Sequence, residues 1–322
     1  MGLLLQGAGD GPGDRLTTGL VHHNPVRGVA CLCLGVFVFS LQDAVIKQIS
    51  GTYALTQVVV IRSLVAIPIL LTLVQLETGW RALFSRDFWP LTARAAIMFA
   101  AYTAYYMAFP ALPLADAVAL YFTVPLFVTA LAGPFLGEHS GWRVWAAVGV
   151  GFLGVMVMLQ PGSGLFEPAA LLSLLAAALY ATSMLMARKL GTGQVASVMV
   201  FYQNGVFLAG AAITALVLHW LGIVDAAHPS LSFLVRDWAW PSLADGLLMA
   251  SCGVIAATGM MFLTMAYRMT RANIVASFEY SGILWAPLWG LLFFAEVPRL
   301  TTLAGAALIV GAGLVALRAA RQ

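Results

Sequence analysis

Residues 116–159 read "DAVALYFTVPLFVTALAGPFLGEHSGWRVWAAVGVGFLGVMVML", and the same pattern returns at residues 272–317 as "ANIVASFEYSGILWAPLWGLLFFAEVPRLTTLAGAALIVGAGLVAL". In both stretches a long apolar run ends at a glutamate, Glu138 or Glu296. A short turn then leads into a second run that is rich in glycine and alanine. This repetition predicts that the chain consists of two related halves.

A weaker likeness elsewhere extends the repeat. The stretch "VFSLQDAVIKQIS" at residues 38–50 resembles "LYATSMLMARKLG" at residues 179–191. The two halves are therefore predicted to cover residues 28–160 and residues 168–318. Residues 1–27 lack a comparable apolar run and are expected to form a disordered cytoplasmic leader. Their short apolar stretch and misplaced basic residues do not fit a cleavable signal peptide.

The composition places the chain in a membrane. It is 61% hydrophobic and 9% charged, whereas about a quarter of the residues in a soluble domain are charged. A bilayer core of roughly 30 Å needs about 20 apolar residues per helix, and only helices or closed barrels cross it. The apolar runs are long and unbroken, which favours an all-α membrane protein with ten transmembrane helices. The predicted spans are 28–47, 54–75, 91–109, 114–136, 143–160, 168–187, 196–220, 242–267, 272–294 and 301–317.

The basic residues predict the orientation of these spans. With the N-terminus in the cytoplasm, most of the 16 lysines and arginines fall on the inner side, as the positive-inside rule requires. Only Lys47, Arg236 and Arg299 fall outside, and Arg62 lies within a span. Both termini are therefore expected in the cytoplasm. Because each half has an odd number of spans, the two five-helix repeats should be inverted, which is the architecture of a secondary transporter.

The chain resembles a known family at two stretches, "LQDAVIKQISGTYALTQVVVIRSLVA" (41–66) and "SFEYSGILWAPLWGLLFFAEVP" (277–298). With ten spans and a duplicated half, it is similar to the drug/metabolite transporter (DMT) superfamily in its ten-helix EamA-type branch. The resemblance implies that spans 1–4 and 6–9 surround a central cavity, with spans 5 and 10 outside it. Within the branch the chain is similar to bacterial carriers of S-adenosylmethionine, riboflavin or opine-type metal chelators. These include importers and exporters, and location in the bacterial inner (plasma) membrane is implied.

Two charged residues lie deep in predicted spans. Glu279 follows Arg271 by eight residues, so it should lie about 12 Å below the cytoplasmic edge. A charge in hydrocarbon costs about 2.5–3.5 kcal/mol on insertion scales, and such residues usually face a cavity. Glu279 is a candidate substrate or proton site, or a structural ion pair. Arg62 could bind an anionic substrate group, pair with Glu279, or join helices through Asp43 or backbone carbonyls.

Other polar residues could line the same cavity. Asp43 and Lys47 are spaced i,i+4 on one helical face and could neutralise each other, or Asp43 could line the outer vestibule. Gln203 and Asn204, in the counterpart of the Arg62 region, would supply neutral hydrogen-bonding groups. The two halves would then be chemically unequal, as an asymmetric solute requires.

Aromatic residues could stack against a planar or cationic solute. Tyr105 and Tyr280 are the preferred members, and Trp285 is a further candidate, although helix packing also uses such rings. The remaining aromatic residues of this set are Tyr102, Tyr106, Tyr121, Phe122 and Tyr202.

Four further residues are predicted to have hinge or structural roles. Pro125 and Pro287 can interrupt helical hydrogen bonding within spans 4 and 9, which would serve gating or simple bending. Glu138 and Glu296 are expected to cap or fix the loops that follow these spans. Small residues spaced by four, Ala147 with Gly151 and Ala307 with Gly311, suit close helix packing and could support a homodimer.

The resulting hypothesis is a secondary active transporter that moves a small organic metabolite by alternating access, and proton coupling through Glu279 is a further hypothesis. A motif for ATP hydrolysis is absent from the sequence, and no cofactor, metal or nucleic acid is expected. The predicted partners are the metabolite and the lipid bilayer. The alternative is an integral-membrane enzyme acting on a lipid or lipid-linked substrate, but the five histidines are scattered and no catalytic cluster is evident.

Overall fold

The computed structural model describes residues 25–83, 88–137, 141–160, 167–190, 196–269 and 280–319. These residues form α-helices and two short 3₁₀ helices, Trp80–Leu83 and Tyr280–Leu284, with no β-strand in the described ranges. The α-helices are α1 (Pro25–Ile49), α2 (Leu55–Glu77), α3 (Phe88–Met107), α4 (Leu114–Tyr121), α5 (Val124–Leu136), α6 (Trp142–Leu159), α7 (Ala170–Leu190), α8 (Ala196–Trp220), α9 (Pro229–Val235), α10 (Leu243–Met269), α11 (Trp285–Phe294) and α12 (Leu300–Ala319).

The described helices fit a membrane protein. The segments long and apolar enough to cross a bilayer are Val26–Ile49, Leu55–Glu77, Leu114–Ala132, Ser197–Trp220 and Leu243–Leu263. Shorter apolar helices are Trp145–Leu159, Ala170–Met186, Tyr280–Phe294 and Leu300–Val315. The fold class is therefore an all-helical membrane protein. The count of ten spans and the orientation of the termini stay predictions. The leader falls mainly on residues 1–24, outside the described ranges, while residues 25–27 already belong to α1.

Predicted span 4 is interrupted between α4 and α5. Pro125 has no N–H, so it cannot donate the hydrogen bond that a continuous helix would make to the carbonyl of Tyr121. The backbone instead makes tighter bonds, from the N–H of Thr123 to the carbonyl of Leu120 and from the N–H of Leu126 to that of Thr123. Pro125 becomes the second residue of α5, where a proline is tolerated.

Two more elements differ from the predicted spans. The loop predicted at 221–241 contains the short helix α9. Its start is capped by His228, whose Nδ1 accepts a hydrogen bond from the N–H of Ser230. The described end of span 9 is not one continuous α-helix, because the 3₁₀ helix Tyr280–Leu284 precedes α11.

The largest contacts between helices join the first half to the second. α1 packs against α10, α3 against α7, α2 against α8, and α6 against α12. Numbered by predicted span, these pairs are 1 with 8, 3 with 6, 2 with 7, and 5 with 10. The pattern is unchanged when every span is exchanged for its counterpart five spans away. The contacts of α4 and α5 with α7 are likewise mirrored by those of α11 with α1.

α6 and α12 approach each other closely because glycines lie at their contact. A Cβ on Gly154 would be 2.7 Å from the carbonyl oxygen of Gly305, and one on Gly305 would be 2.6 Å from that of Gly154. Gly151, predicted for a dimer contact, packs instead against Leu126 of the same chain. Gly311 is exposed on α12.

Candidate functional site

A central cavity of about 350 Å³ lies between the two halves. Its wall is formed by residues of α1, α2, α3, α4, α5, α7, α8, α10 and the 3₁₀ helix Tyr280–Leu284. α6 and α12 contribute none of the described lining residues. All predicted spans except the fifth and tenth therefore surround the cavity, which is the arrangement that the family resemblance implies.

Arg62 faces this cavity from the second turn of α2. The residue is only 6% exposed, and its Nε is buried without a hydrogen-bond partner. The guanidinium carbon lies 4.7 Å from the ring centroid of Tyr102 and 5.4 Å from that of Phe207. No ion pair joins Arg62 to a carboxylate in the described ranges, Asp43 included. Cation–π contacts therefore hold the guanidinium, and its hydrogen-bonding capacity is largely unused.

Asp43 lines the cavity from α1 and is bound by tyrosines of α3. Its Oδ2 accepts a hydrogen bond of 3.1 Å from the hydroxyl of Tyr105, and its Oδ1 accepts one of 2.8 Å from that of Tyr106. Gln42 Nε2 donates to the Tyr106 hydroxyl at 2.9 Å, whereas Gln42 Oε1 is buried without a partner. The predicted neutralisation of Asp43 by Lys47 is wrong, because Lys47 pairs with Glu296.

Arg94 is a cavity residue that the sequence interpretation missed. It lies in the second turn of α3, is 5% exposed, and lines the cavity. Its Nε donates to the carbonyl of Ser183 on α7 at 3.3 Å. The predicted third span begins at residue 91, which would place Arg94 near the cytoplasmic edge of the membrane. Since α3 begins at Phe88, Arg94 lies a full turn deeper in the helix than the predicted boundary implies, and the aromatic pair Phe88 and Trp89 was the available signal.

Of the remaining predicted site residues, three line the cavity and Trp285 does not. Gln203, Asn204 and Tyr280 line the cavity, and Asn204 Nδ2 donates to the carbonyl of Ser63 on α2 at 3.1 Å. Trp285 is not part of the described wall, so its predicted position there is wrong. Its ring centroid lies 4.8 Å from that of Phe37 and 6.0 Å from that of Trp289.

Four predicted positions remain. Glu279 and Glu138 lie outside the described residues. Pro287 is the third residue of α11 and does not line the cavity. Pro125 does line it, at the start of α5.

An ion pair closes one end of the bundle, which we call the Lys47 end. Lys47 Nζ lies 2.6 Å from Glu296 Oε1, and the two side chains are 10% and 25% exposed. Lys47 Nζ also donates to the carbonyl of Leu112 at 2.6 Å, and Glu296 Oε2 accepts from the N–H of Leu114 at 2.8 Å. The Phe294 ring centroid lies 5.3 Å from Lys47 Nζ. Glu296 thus joins the second half to two elements of the first.

Further bonds between the halves lie at the same end. Thr302 Oγ1 on α12 donates to Asp116 Oδ1 on α4 at 2.5 Å. The segment around α9 also crosses onto the turn between α1 and α2. Its bonds are Tyr53 hydroxyl to Asp245 Oδ2 at 2.7 Å, Arg236 to the carbonyl of Ser50 at 3.3 Å, Trp238 Nε1 to Thr56 Oγ1 at 3.0 Å, and Gln57 Nε2 to the carbonyl of Ala239 at 2.7 Å.

The chemistry of this cavity suits binding. It presents two guanidinium groups, one carboxylate, amides and aromatic rings, which can orient a solute by hydrogen bonds and stacking. Among the described residues, no group of three or more histidines, cysteines, aspartates or glutamates could hold a metal ion. A helical membrane bundle with a central cavity that is mainly apolar and carries a few converging polar groups has the architecture of the membrane transport proteins.

Comparison with known proteins identifies the family within that class. Residues 26–160 match the EamA-like transporter family. The chain is 33% identical over 285 residues to the pseudopaline exporter of Pseudomonas aeruginosa, an alignment that covers 88% of this chain and 93% of the exporter. The chain therefore belongs to the EamA-like transporter family, within the drug/metabolite transporters.

More distant relatives carry other transporter names. The chain is 27% identical to the riboflavin transporter of Vibrio cholerae, with 90% of this chain and 92% of that protein covered. It is 25% identical to the S-adenosylmethionine uptake transporter of Rickettsia prowazekii, with the same coverage of 90% and 92%. A solved crystal structure with 19% identity aligns at a TM-score of 0.60 over 92% of this chain and 98% of its own, which shows a shared fold. The relatives favour a transporter over the membrane-enzyme alternative.

Proposed function

We propose that this chain is a secondary carrier that binds a small organic metabolite in the central cavity and moves it by alternating access. The observation that carries this proposal is the central cavity, mainly apolar but lined by Asp43, Arg62 and Arg94, between two halves that are bonded to each other at the Lys47 end. Its volume of about 350 Å³ lies in the range of small-molecule sites, about 300–1,000 Å³. The family relationship supports the same conclusion.

The exchange pattern of helix contacts supports two five-helix repeats, residues 28–160 and 168–318. An odd number of spans per repeat would insert them in opposite directions, with both termini in the cytoplasm of a bacterium and ten spans in its inner membrane. In such a pair, exchanging the conformations of the two repeats exposes the central cavity to the opposite side.

The bonds at the Lys47 end supply the gate of this mechanism. With the N-terminus in the cytoplasm, this end faces outward, so the structure corresponds to a conformation closed to the outside. Opening there would separate Lys47 from Glu296 and Asp116 from Thr302. Asp43 lies one helical turn, about 6 Å, below Lys47 along α1, so movement of this gate would reach the cavity wall directly.

A reversible disulfide tests alternating access. Asp116 and Thr302 have short side chains that meet at 2.5 Å, so Asp116→Cys/Thr302→Cys would hold the Lys47 end closed when oxidised. The three native cysteines, Cys31, Cys33 and Cys252, are first replaced by alanine. Purified protein in liposomes is then assayed for uptake of riboflavin, S-adenosylmethionine and pseudopaline, and of solutes from a bacterial extract by mass spectrometry.

We expect oxidation to abolish uptake and a reductant to restore it. The two single-cysteine variants are the matched controls and should respond to neither treatment. Equal uptake by the fully cross-linked and the reduced double variant would show that the Lys47 end does not open during transport, and alternating access would then be wrong.

Proton coupling is the finer part of the proposal, with Glu279 as the coupling residue and Asp43 as the second acidic candidate. We expect Glu279→Gln to remove the acceleration of uptake that a pH gradient produces, while uptake driven by the solute gradient alone continues. Asp43→Asn is the parallel variant. A wild-type rate that ignores the pH gradient would exclude coupling and leave solute exchange or facilitated diffusion.

A homodimer is also proposed, through the exposed face of α12 that carries Ala307 and Gly311. Small residues spaced by four allow close approach of helices in a membrane. Replacing Gly311 by leucine should convert a dimer into a monomer, measured by light scattering of the purified protein in detergent. An unchanged mass would remove this part of the proposal.

A further inference from the structure

We infer that the cavity binds an organic solute with two acidic groups, one held by Arg62 and the other by Arg94, with a flat apolar body between them. This inference rests on the proposed function, because it names the chemical class of the solute that the carrier would move. Carboxylates and phosphates share the required oxyanion chemistry, and both match the fork of a guanidinium group.

The first step is that Arg62 has no acidic partner among the described residues. A cation at membrane depth costs about 2.5–3.5 kcal/mol on insertion scales and normally faces a partner or water. Arg62 is nine-tenths buried and lines the cavity, and its Nε has no acceptor. The nearby Tyr102 hydroxyl and the Oε1 of Gln42 are also buried without partners. Arg62 and Tyr102 both line the cavity, so a solute oxyanion there would meet a guanidinium that has no carboxylate partner in the described part of the chain.

The second step is that Arg94 on α3 is another guanidinium group that lines the cavity. Its Nε is used by the carbonyl of Ser183, but its terminal nitrogens make no ion pair with a carboxylate in the described ranges. An arginine offers five N–H donors. The bond to Ser183 fixes the guanidinium in place and leaves its outer edge for a ligand.

The third step excludes Asp43 as the counter-ion of either arginine. Both of its oxygens already accept hydrogen bonds from tyrosines, Oδ2 from Tyr105 and Oδ1 from Tyr106. Neither Arg62 nor Arg94 lies within ion-pair distance of it. The described wall of the cavity therefore has two guanidinium groups without a carboxylate partner. Its one carboxylate, Asp43, is hydrogen-bonded to tyrosines.

The spacing of the arginines sets the size of the solute. Arg62 stacks on Tyr102, which lies eight residues after Arg94 on α3, a separation of about 12 Å along the helix axis. The two acidic groups should therefore be separated by a distance on the order of 12 Å. Met98, Tyr121 and Phe122 also line the cavity, and their apolar and aromatic surfaces favour a flat, apolar or aromatic body.

A rigid dicarboxylate tests this inference directly. Biphenyl-4,4′-dicarboxylate has acid groups at both ends of a flat body, and biphenyl-4,4′-dicarboxamide has the same shape without charge. Binding of both to the purified wild-type protein is measured by titration calorimetry. We expect the diacid to bind about ten- to a hundredfold more tightly for each arginine engaged, as for charge-assisted hydrogen bonds. Biphenyl-4,4′-diphosphonate, tested in parallel, shows whether carboxylate or phosphate is the preferred acid.

Variants assign the two ends of the probe. Arg62→Gln and Arg94→Gln should each reduce binding of the diacid to the level of biphenyl-4-carboxylate, and the double variant should bind the diacid no better than the diamide. Arg81→Gln is the matched control, because Arg81 is exposed and does not line the cavity. Thermal unfolding without ligand establishes that each variant is folded, and the Lys replacements at positions 62 and 94 should retain part of the preference for acids.

The outcomes test the diacid-binding inference and the proposed carrier function separately. Equal binding of diacid and diamide, or diacid binding that survives Arg62→Gln and Arg94→Gln unchanged, overturns the inference, and uptake of any neutral solute into liposomes would still support a carrier. Arginine-dependent binding of the diacid without uptake of it, or of any solute in a bacterial extract, would keep the inference and overturn the carrier.

Discussion

The Lys47 end and the central cavity both bury cationic side chains, but they differ in the partners that these side chains have. At the Lys47 end, the ammonium of Lys47 has a carboxylate, a carbonyl and an aromatic ring as partners. In the cavity, and within the described ranges, Arg62 contacts aromatic faces and Arg94 donates to a backbone carbonyl, and neither has a carboxylate partner. Both regions bury charged groups. Within the described residues, only the Lys47 end pairs its cation with a carboxylate of the same chain.

The difference separates structural charges from functional ones. A charge whose partners all come from the protein contributes to one conformation, and here that conformation is the one closed at the Lys47 end. A charge without an acidic partner raises the free energy of the empty protein and lowers it again only when a ligand supplies the oxyanion. Removing a charge that has protein partners, such as Lys47 or Asp43, should therefore lower stability, whereas removing Arg62 should raise it.

The largest effect is expected at the ion pair. Lys47→Met would leave Glu296 without its cation and should lower the free energy of unfolding by about 3 kcal/mol, the lower end for a broken buried pair because Glu296 is partly exposed. Thermal unfolding in detergent measures it. The double variant Lys47→Met/Glu296→Gln should recover most of the loss, because glutamine still accepts from the N–H of Leu114. A double variant as unstable as the single one would contradict the assignment.

The next effect is expected at Asp43. Asp43→Leu leaves the hydroxyls of Tyr105 and Tyr106 without their acceptor and should reduce stability by about 2 kcal/mol. Asp43→Asn is the control, since it keeps one carbonyl oxygen and should lose less. Removing the Tyr105 hydroxyl in the Asp43→Leu background, with Tyr105→Phe, should restore part of the stability, whereas Tyr106→Phe should not, because the Tyr106 hydroxyl also accepts from Gln42 Nε2. These free energies are compared by chemical denaturation.

The third prediction has the opposite sign. Arg62→Met removes a buried charge that has no acidic partner, so the ligand-free protein should become more stable, by about 1 kcal/mol. Uptake and binding of diacids should be lost in the same variant. The control Arg81→Met changes an exposed arginine and should alter neither property. If Arg62→Met instead unfolds at a clearly lower temperature, the contacts with Tyr102 and Phe207 are structural and the contrast between the regions disappears.

The smallest effect is expected at the second bond of the gate. Thr302→Val keeps the shape of the side chain and removes the hydroxyl that bonds to Asp116. The loss should be below about 1 kcal/mol. Its more sensitive readout is the labelling of Ala115→Cys, a buried position beside Asp116, by a membrane-impermeant thiol reagent in protein that lacks the three native cysteines, and this labelling should rise because the Lys47 end opens more often. Unchanged labelling would indicate that the Lys47–Glu296 pair holds this end without help.

The helical membrane fold could be predicted from the sequence because its signal is local. Whether an apolar run inserts into the membrane as a helix depends mainly on its own residues. The boundaries of α1, α2 and α8 therefore fall within a few residues of the predicted spans. The break before Pro125 was partly foreseeable, since the proline itself causes it. The short helix α9 was not predicted, because seven residues do not define a hydrophobic period.

The site was less predictable because its geometry depends on distant residues. Nothing near Lys47 in the sequence indicates that Glu296, almost the whole chain away, is its partner, whereas Asp43 is an obvious neighbour. Trp285 was misplaced because the 3₁₀ helix before it has about three residues per turn, so the face expected from a continuous α-helix no longer applies. Arg94 was missed because its depth depends on where α3 begins.

The crossed pairing of helices also has consequences while the chain is being made. α1 packs mainly against α10, which follows it by roughly 200 residues and leaves the ribosome about 10–40 s later at usual rates of synthesis. During that interval the newly inserted helices lie in the bilayer without their final neighbours, with arginines and an aspartate unshielded. Assembly of this protein should therefore be a late, concerted event, and a chaperone that shelters polar transmembrane helices should raise its yield.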